Sequence, residues 1–319
     1  VTLGCQMNKS DSERVRTVIE GMGYVWTDTE EEATLLGVLA CSVRQKSIDK
    51  VYSRIARWNK WKNTRSLITF VSGCVLPADR EKFLKSFDLL FTMSELPELP
   101  DMIRQYGVVT RHAPVQKAKE AIREFWMVRP TYASDYEAFI PIQNGCDKFC
   151  TYCAVPYTRG REISRPSSEI LEELKQLVDK GYKSITLLGQ NVNSYGLDKS
   201  GAELSFAGLL AAIGNYGLQS GKEFWVYFTS PHPRDMSDEV LEVIAQYPCL
   251  AKQIHLPLQS GDDKVLIRMN RKHSLEDYNR VVQSIRRILP DATLFTDIIV
   301  GFTGETEEQF ENTRRAMEE

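Results

Sequence analysis

Three cysteines crowd into one short stretch of this chain, Gly145-Cys146-Asp147-Lys148-Phe149-Cys150-Thr151-Tyr152-Cys153, with gaps of three and two residues between them. Soft thiolates suit transition metals far better than hard cations, and they are the standard ligands of iron–sulfur clusters. Three so close together serve one purpose. A cubane of four irons accepts them at three corners and keeps one iron without a protein ligand. An open position on a metal centre is where chemistry, rather than scaffolding, is done. A structural zinc site would want a fourth Cys or His nearby, and the next His in the chain is His232. A disulfide would strand one thiol and require an oxidising compartment. The loop therefore predicts a [4Fe–4S] cluster with an open site at Cys146, Cys150 and Cys153.

The chain has 319 residues, room for about two domains. Its 42% hydrophobic and 26% charged content is that of an ordinary soluble globular protein. No window approaches about 18 uninterrupted apolar residues, so no membrane span is expected. No basic stretch followed by an apolar core marks a secretory signal. A reducing cytoplasm is the expected location, and it suits seven cysteines kept as thiols. The formal charge of -3 excludes a polycationic nucleic-acid coat, so any RNA contact must come from local patches. Val1 lies inside an apolar run and the last residues read as a helix, so a natural protein longer at its C-terminus is expected.

The first third alternates short apolar runs with amphipathic stretches. Ser10-Asp11 reads as the cap of a helix with Val15, Val18, Ile19 and Met22 on one face. Strands are expected at residues 35–40, 67–72 and 89–93. Ile48, Val51, Ile55 and Trp58 recur at helical spacing, and a short helix is expected at 77–86. Strands alternating with helices argue a parallel sheet covered on its faces. Cys5, Cys41 and Cys74 each fall at or just past the end of such a strand. Parallel strands bring their C-terminal ends to one edge, where ligands bind, so these three converge on a second cluster site. Residues 113–136 carry charges, two prolines and no clean period, and read as a linker.

Residues 138–143 open a second series, with the cysteine loop directly after its first strand. Further strands are expected at 184–188, 223–229, 252–256 and 293–300. Helices are expected at 167–180, 206–213, 237–247, 262–269, 274–289 and 306–319. Five βα units are too few to close an eight-stranded barrel, so an open or truncated barrel is implied. Polar clusters sit at the strand ends and would hold a polar cofactor over the mouth: Gln190 and Asn191, Ser230 beside His232, Gln259, and Asp297. Tyr152, with Phe149 and Tyr157, could stack on a base or shield the cluster. Arg159, Arg161 and Arg165 follow the cysteine loop, and Arg271 lies farther on; the phosphate contacts of an RNA are expected from Arg159, Arg161 and Arg271. Cys249 has no partner spacing and reads as structural.

Cys146-x-x-x-Cys150-x-x-Cys153 after the first strand of a βα series resembles the radical S-adenosylmethionine (SAM) superfamily. The resemblance extends to Gly4-Cys5-Gln6-Met7-Asn8, Cys41-Ser42-Val43-Arg44 and Gly73-Cys74. It continues through Pro156-Tyr157-Thr158-Arg159-Gly160-Arg161-Glu162 and Leu188-Gly189-Gln190-Asn191-Val192-Asn193-Ser194. These runs, which cover nearly the whole chain, resemble the methylthiotransferases, and among them the MiaB-type enzymes acting on isopentenyladenosine in tRNA.

The resemblance implies a flavodoxin-like parallel-sheet domain at 1–112 and a radical SAM core at 137–319, a partial (β/α) barrel. It also implies a C-terminal RNA-binding β-barrel that this sequence lacks. Two [4Fe–4S] clusters are implied, one on Cys5, Cys41 and Cys74 and one on Cys146, Cys150 and Cys153. SAM would bind the open iron of the second, near Tyr152, Gln190, Asn191, Ser230, Gln259 and Asp297. Reductive cleavage of SAM would give a radical that takes hydrogen from C2 of the adenine, and the first cluster would carry the sulfur that is methylated and transferred. The implied partners are tRNA, an electron donor of the flavodoxin type and a sulfur or cluster donor, with no membrane and a monomeric state. Leu39-Ala40 stand before Cys41 where the family usually has Asn-Thr, which bears on the hydrogen bonding of that ligand. Other readings are a methylthiotransferase acting on threonylcarbamoyl-adenosine tRNA or on a ribosomal protein, a non-catalytic iron–sulfur electron carrier, and a zinc-binding nucleic-acid module.

Overall fold

A computed structural model describes residues 1–42, 45–106 and 118–318. Val43 and Arg44, part of one motif above, and 113–117 of the expected linker lie outside the described residues. The chain forms two compact units, Val1–Ala133 with Tyr157–Gly160, and Ser134–Pro156 with Arg161–Glu319.

The first unit is a parallel sheet with helices. Helix α1 spans Gln6–Gly21, strand β1 Leu35–Cys41, α2 Gln45–Trp61, β2 Ile68–Cys74, α3 Pro77–Leu84, β3 Leu89–Leu90 and α4 Leu99–Arg104. The strands pair in the order β1-β2-β3, all parallel, and Thr2 bridges to Leu39 so that the first residues run alongside β1. Ile48, Val51, Ile55 and Trp58, spaced to share one helix face, are all buried in the core under the sheet. The Trp58 indole N–H, cut off from water, donates to Glu30 at 2.8 Å.

Three elements depart from the sequence reading. Helix α1 starts at Gln6 with Cys5 as its N-cap, so Ser10 and Asp11 lie inside it and are fully buried. Buried Asp is rare unless paired, which is why polarity there read as a cap. Residues 118–127 of the expected linker form helix α5 (Ala118–Met127), whose Ala121, Ile122, Phe125 and Trp126 are buried. Arg123 and Glu124, between the two buried pairs, are exposed and interrupt the apolar period. The strand expected at 89–93 is cut to Leu89–Leu90, because a 3-10 turn begins at Met93 with Thr92 and Glu95 as a capping box.

The second unit carries β4 (Glu137–Pro141), β5 (Gln143–Asn144), β6 (Ile163–Ser164), α7 (Ser167–Asp179), β7 (Ser184–Leu188), α8 (Phe206–Ser220) and β8 (Trp225–Phe228). The single turn α6 (Val155–Thr158) precedes β6 in the chain. Then come α9 (Asp238–Gln246), β9 (Gln253–His255), α10 (Asp263–Arg268), α11 (Leu275–Ile288), β10 (Thr293–Phe295) and α12 (Glu307–Glu318). Strands β4, β7 and β8 pair in that order in parallel, β9 pairs β10 in parallel, and Val226 bridges in parallel to Leu250. The later strands end sooner than the apolar runs suggest, at Phe228, His255 and Phe295. Beyond each end the backbone bends into the polar loops described below.

Candidate active site

In the first unit, Cys41 and Cys74 are register partners at the last positions of β1 and β2. Cys5 follows the segment that runs beside β1, since Leu3 N–H donates to Leu39 O at 2.8 Å. Buried Asn8 ties this edge together: its Oδ1 accepts from the Cys5 Sγ at 3.4 Å and its Nδ2 donates to Ala40 O at 3.2 Å. The residue before Cys41 is therefore held through its backbone carbonyl, which Ala40 supplies as well as any other residue. Gly73 makes room for this. Its φ is +96°, and a Cβ there would stand 2.6 Å from Ala40 O and 2.7 Å from Asn8 Nδ2. All three cysteines thus reach one sheet edge, Cys5 exposed and the other two buried.

In the second unit the cysteine loop follows β5. Cys153 N–H donates to Cys150 O at 2.9 Å, and Thr151 is pinned at both ends, N–H to Met269 O and Oγ1 to Arg268 O. Asn270 Nδ2 donates to Phe149 O at 2.8 Å. Phe149 and Asn270 both take left-handed backbone conformations, with φ of 51° and 59°. Asparagine visits this region readily, whereas for a phenylalanine it is uncommon. Burial pushes the Cys146 thiol up to about 11 and raises Cys153 as well, each further raised by the neighbouring cysteines. A nearby cation would favour their thiolate forms, and Arg271 already acts so on Cys153.

Among the strand-end residues, Asn191 is tied to this loop through Asp235 and Lys148. Gln143 Oε1 accepts from Asn191 N–H at 3.3 Å, and Gln143 Nε2 donates to Ser194 Oγ, which donates to Glu162 Oε1 at 2.6 Å. Lys148 pairs with Asp235, whose Oδ2 also accepts from Asn191 Nδ2 at 3.0 Å. Gln259 N–H donates to Asp297 O at 2.8 Å, and Asp297 Oδ2 lies 3.0 Å from His255 Nε2. Ser230 and Gln259 have φ of 61° and 71°. Tyr152 lies by Cys150 and meets Phe302 edge-on at 6.4 Å. Burial pushes Glu162 up to about 7 and His232 down to about 2, so His232 is neutral at physiological pH.

The arginines expected to contact RNA divide. Arg161 is exposed, pairs with Asp147 at 2.7 Å and lies over the Phe149 ring. Arg271 is buried instead: Nη2 donates to Pro257 O at 3.1 Å and Nη1 points to Cys150 Sγ at 3.6 Å. Arg159 is buried in the first unit, where it pairs with Asp11 and donates to Cys74 Sγ. Neither presents its guanidinium to a phosphate backbone. A charge beside a cysteine motif can serve the sulfur as easily as a ligand phosphate, and spacing alone does not separate the two. Asn8, Asp11, Lys148, Glu162 and Asp235 escaped the sequence reading; the only signal for them was their place inside or close to the motifs.

The Radical SAM superfamily model matches residues 140–317, and the model described as Uncharacterized protein family UPF0004 matches residues 1–92. Over its whole length the chain is 44% identical to the tRNA-2-methylthio-N(6)-dimethylallyladenosine synthase of Geobacter metallireducens, covering 72% of that protein. It is 42% identical to the same-named protein of Geobacter sulfurreducens, covering 71% of it, and 38% identical to that of Syntrophotalea carbinolica, covering 72%. The chain belongs to the radical SAM family of tRNA-2-methylthio-N(6)-dimethylallyladenosine synthases.

Solved structures agree on the fold. The radical SAM methyltransferase TsrM of Kitasatospora setae, with cobalamin and a [4Fe-4S] cluster bound, matches with a TM-score of 0.67 at 14% identity, over 97% of this chain and 67% of that one. The cobalamin-dependent radical SAM enzyme OxsB matches with a TM-score of 0.61 at 14% identity, over 96% of this chain and 45% of that one.

The residues present suit the groups that a synthase of this family would hold. Gln190 Oε1, Asn191 Oδ1, Arg271 Nε and His273 Nε2 are buried without a hydrogen-bond partner. Buried polar atoms are nearly always satisfied, so these unpaired atoms are compatible with a polar ligand. Among the described residues no three His, Cys, Asp or Glu side chains close around a single metal ion. Thiolates on three corners of a cubane bind three different irons and stand wider apart.

Proposed function

We propose that this protein inserts sulfur and a methyl group at C2 of N6-isopentenyladenosine beside the anticodon of tRNA, giving the 2-methylthio derivative. The observation that carries the reading is the pair of three-cysteine sets, each at a loop edge of its own parallel α/β unit, in a chain matched along its whole length by 2-methylthio-dimethylallyladenosine synthases. Two sets of three suit chemistry at both clusters, whereas a carrier ligates every iron. The names of the relatives favour the isopentenyl substrate over threonylcarbamoyl-adenosine or a ribosomal protein.

Cys146, Cys150 and Cys153 hold the radical SAM cluster, and Cys5, Cys41 and Cys74 hold the auxiliary one. When bound, the clusters and SAM supply hydrogen abstraction and the sulfur and methyl groups, as cofactors do for hard chemistry. The chain's own residues position and enclose. Gln190, Asn191 and Arg271 offer their unsatisfied atoms to SAM, and Tyr152, Ser230, Gln259 and Asp297 complete its surround. Lys148 with Asp235 and Gln143 with Ser194 lock Asn191 in place. His232, kept neutral, adds no cation that would repel a sulfonium.

Exposed Cys5 leaves the auxiliary edge open to a sulfur or cluster donor. An electron donor of the flavodoxin type, a reducing cytoplasm and a monomeric state complete the reading. No helix among the described residues is long and apolar enough to cross a membrane. Mass spectrometry of tRNA nucleosides from cells lacking the gene tests the substrate. Loss of the methylthio derivative with accumulation of isopentenyladenosine is expected, and an unchanged nucleoside profile would overturn the assignment.

A further inference from the structure

The guanidinium of Arg159 is 5% exposed and the carboxylate of Asp11 wholly buried, and the two pair at 2.5 Å within the first unit. Arg159 Nε–H donates to Cys74 Sγ at 3.2 Å. The other oxygen of Asp11 is buried without a partner, so this carboxylate directs its charge at Arg159. Arg14, one turn along α1, donates to Ser10 Oγ at 2.9 Å. Burying a charged pair costs several kcal/mol in desolvation, and one partner's loss leaves the other uncompensated. A surface pair would hold the 157–160 segment as well at less cost, so structure alone does not call for this one. What the buried pair does is aim one planar N–H at a sulfur.

We propose that Arg159 is a positioning residue that sets the reduction potential of the auxiliary cluster through its hydrogen bond to Cys74, with Asp11 as its counter-charge. The inference rests on the reading of Cys74 as a cluster ligand. Hydrogen bonds to cluster sulfurs and the net charge nearby are the levers by which a protein moves such a potential. A donor and a positive charge at the sulfur stabilise the reduced, more negative cluster. A carboxylate close behind opposes them. The two residues therefore act with opposite sign.

The test is an anaerobic redox titration, followed by electron paramagnetic resonance, of the whole chain with both clusters reconstituted. The radical SAM cluster is recognised by the change in its signal on adding SAM. Arg159→Gln should move the auxiliary midpoint to more negative potential. Arg159→Lys should move it less in the same direction, since the charge stays but the planar donor goes. Asp11→Asn should move it to more positive potential. A merely structural pair would change iron content without such opposed shifts. Full iron content with unmoved midpoints, or shifts of one sign in all variants, would overturn the inference. Should Arg159→Gln lose the cluster, Arg159→Lys and Asp11→Asn decide. Wild-type protein holding about four irons rather than about eight would instead overturn the auxiliary-site reading on which the inference stands.

Discussion

Cys41 and Cys74 stand opposite one another at the final register position of two paired parallel strands, with Ser42 N–H donating to Cys74 O at 2.9 Å. The pairing that builds the sheet is also what brings two distant cysteines together. Cys146, Cys150 and Cys153 need no such help. The two sets should therefore fail independently. Cys41→Ala should lower iron from about eight to about four per chain while SAM cleavage persists and sulfur transfer is lost. Cys150→Ala should abolish cleavage and spare the auxiliary iron. Iron analysis with quantification of 5′-deoxyadenosine checks both, and loss of cleavage in Cys41→Ala would mean that the sites are not separable.

Gly73 is a tight point of that edge. Alanine there must adopt φ of +96° and place its Cβ against Ala40 O and Asn8 Nδ2. Gly73→Ala should destabilise the first unit by about 1–3 kcal/mol and reduce auxiliary iron. Anaerobic urea denaturation with iron analysis reads both effects. Wild-type stability together with full iron would show that the close approach is relaxed in solution.

Glu162 gives a pH signature. Burial lifts its carboxyl from 4.5 to about 7. The native state then keeps its proton where the unfolded chain has lost it, so the contribution of this group to stability is fully present below 4.5, falls as pH rises, and is gone above about 7. The span is worth roughly 3 kcal/mol. His232, held down to about 2, acts in the other direction as pH drops below 6.5. Glu162→Gln keeps an oxygen for Ser194 and removes the titration. Its stability should exceed the wild type increasingly from pH 4.5 to about 7. Parallel wild-type and variant curves in denaturation across that range would refute the assignment.

Gln190 carries an oxygen that is buried and unsatisfied, and its loss costs the fold no hydrogen bond through that atom. Gln190→Ala should weaken SAM binding about tenfold, or about 1.4 kcal/mol, with iron content unchanged. Equilibrium binding to anaerobic protein measures it. Unaltered affinity would remove Gln190 from the cofactor pocket.

Periodicity and short motifs made much of this protein legible. The Ile48–Trp58 helix was visible because one apolar face at 3.6-residue spacing is a local property. The spacing of Cys146, Cys150 and Cys153 is local too, since one loop must deliver all three ligands. The ends of β1 and β2 were close to readable, and with them the convergence of Cys41 and Cys74, because parallel topology fixes which ends meet.

Other features had no local signal. Helix α5 was hidden because charged residues are interspersed with its apolar ones in sequence, as in a linker. Asp11 resembled a cap, since the residue that justifies burying it, Arg159, lies far away in sequence. Arg159 and Arg271 resembled phosphate ligands because a charge does not announce its partner; the fold turned both toward cysteine sulfurs. The cysteine spacing, the apolar helix faces and the parallel arrangement of strands thus follow from residue chemistry and short-range periodicity. Which polar groups are buried together, and so which charges tune the sulfurs, was decided only by tertiary packing, because desolvation and pairing are properties of neighbours distant in the chain.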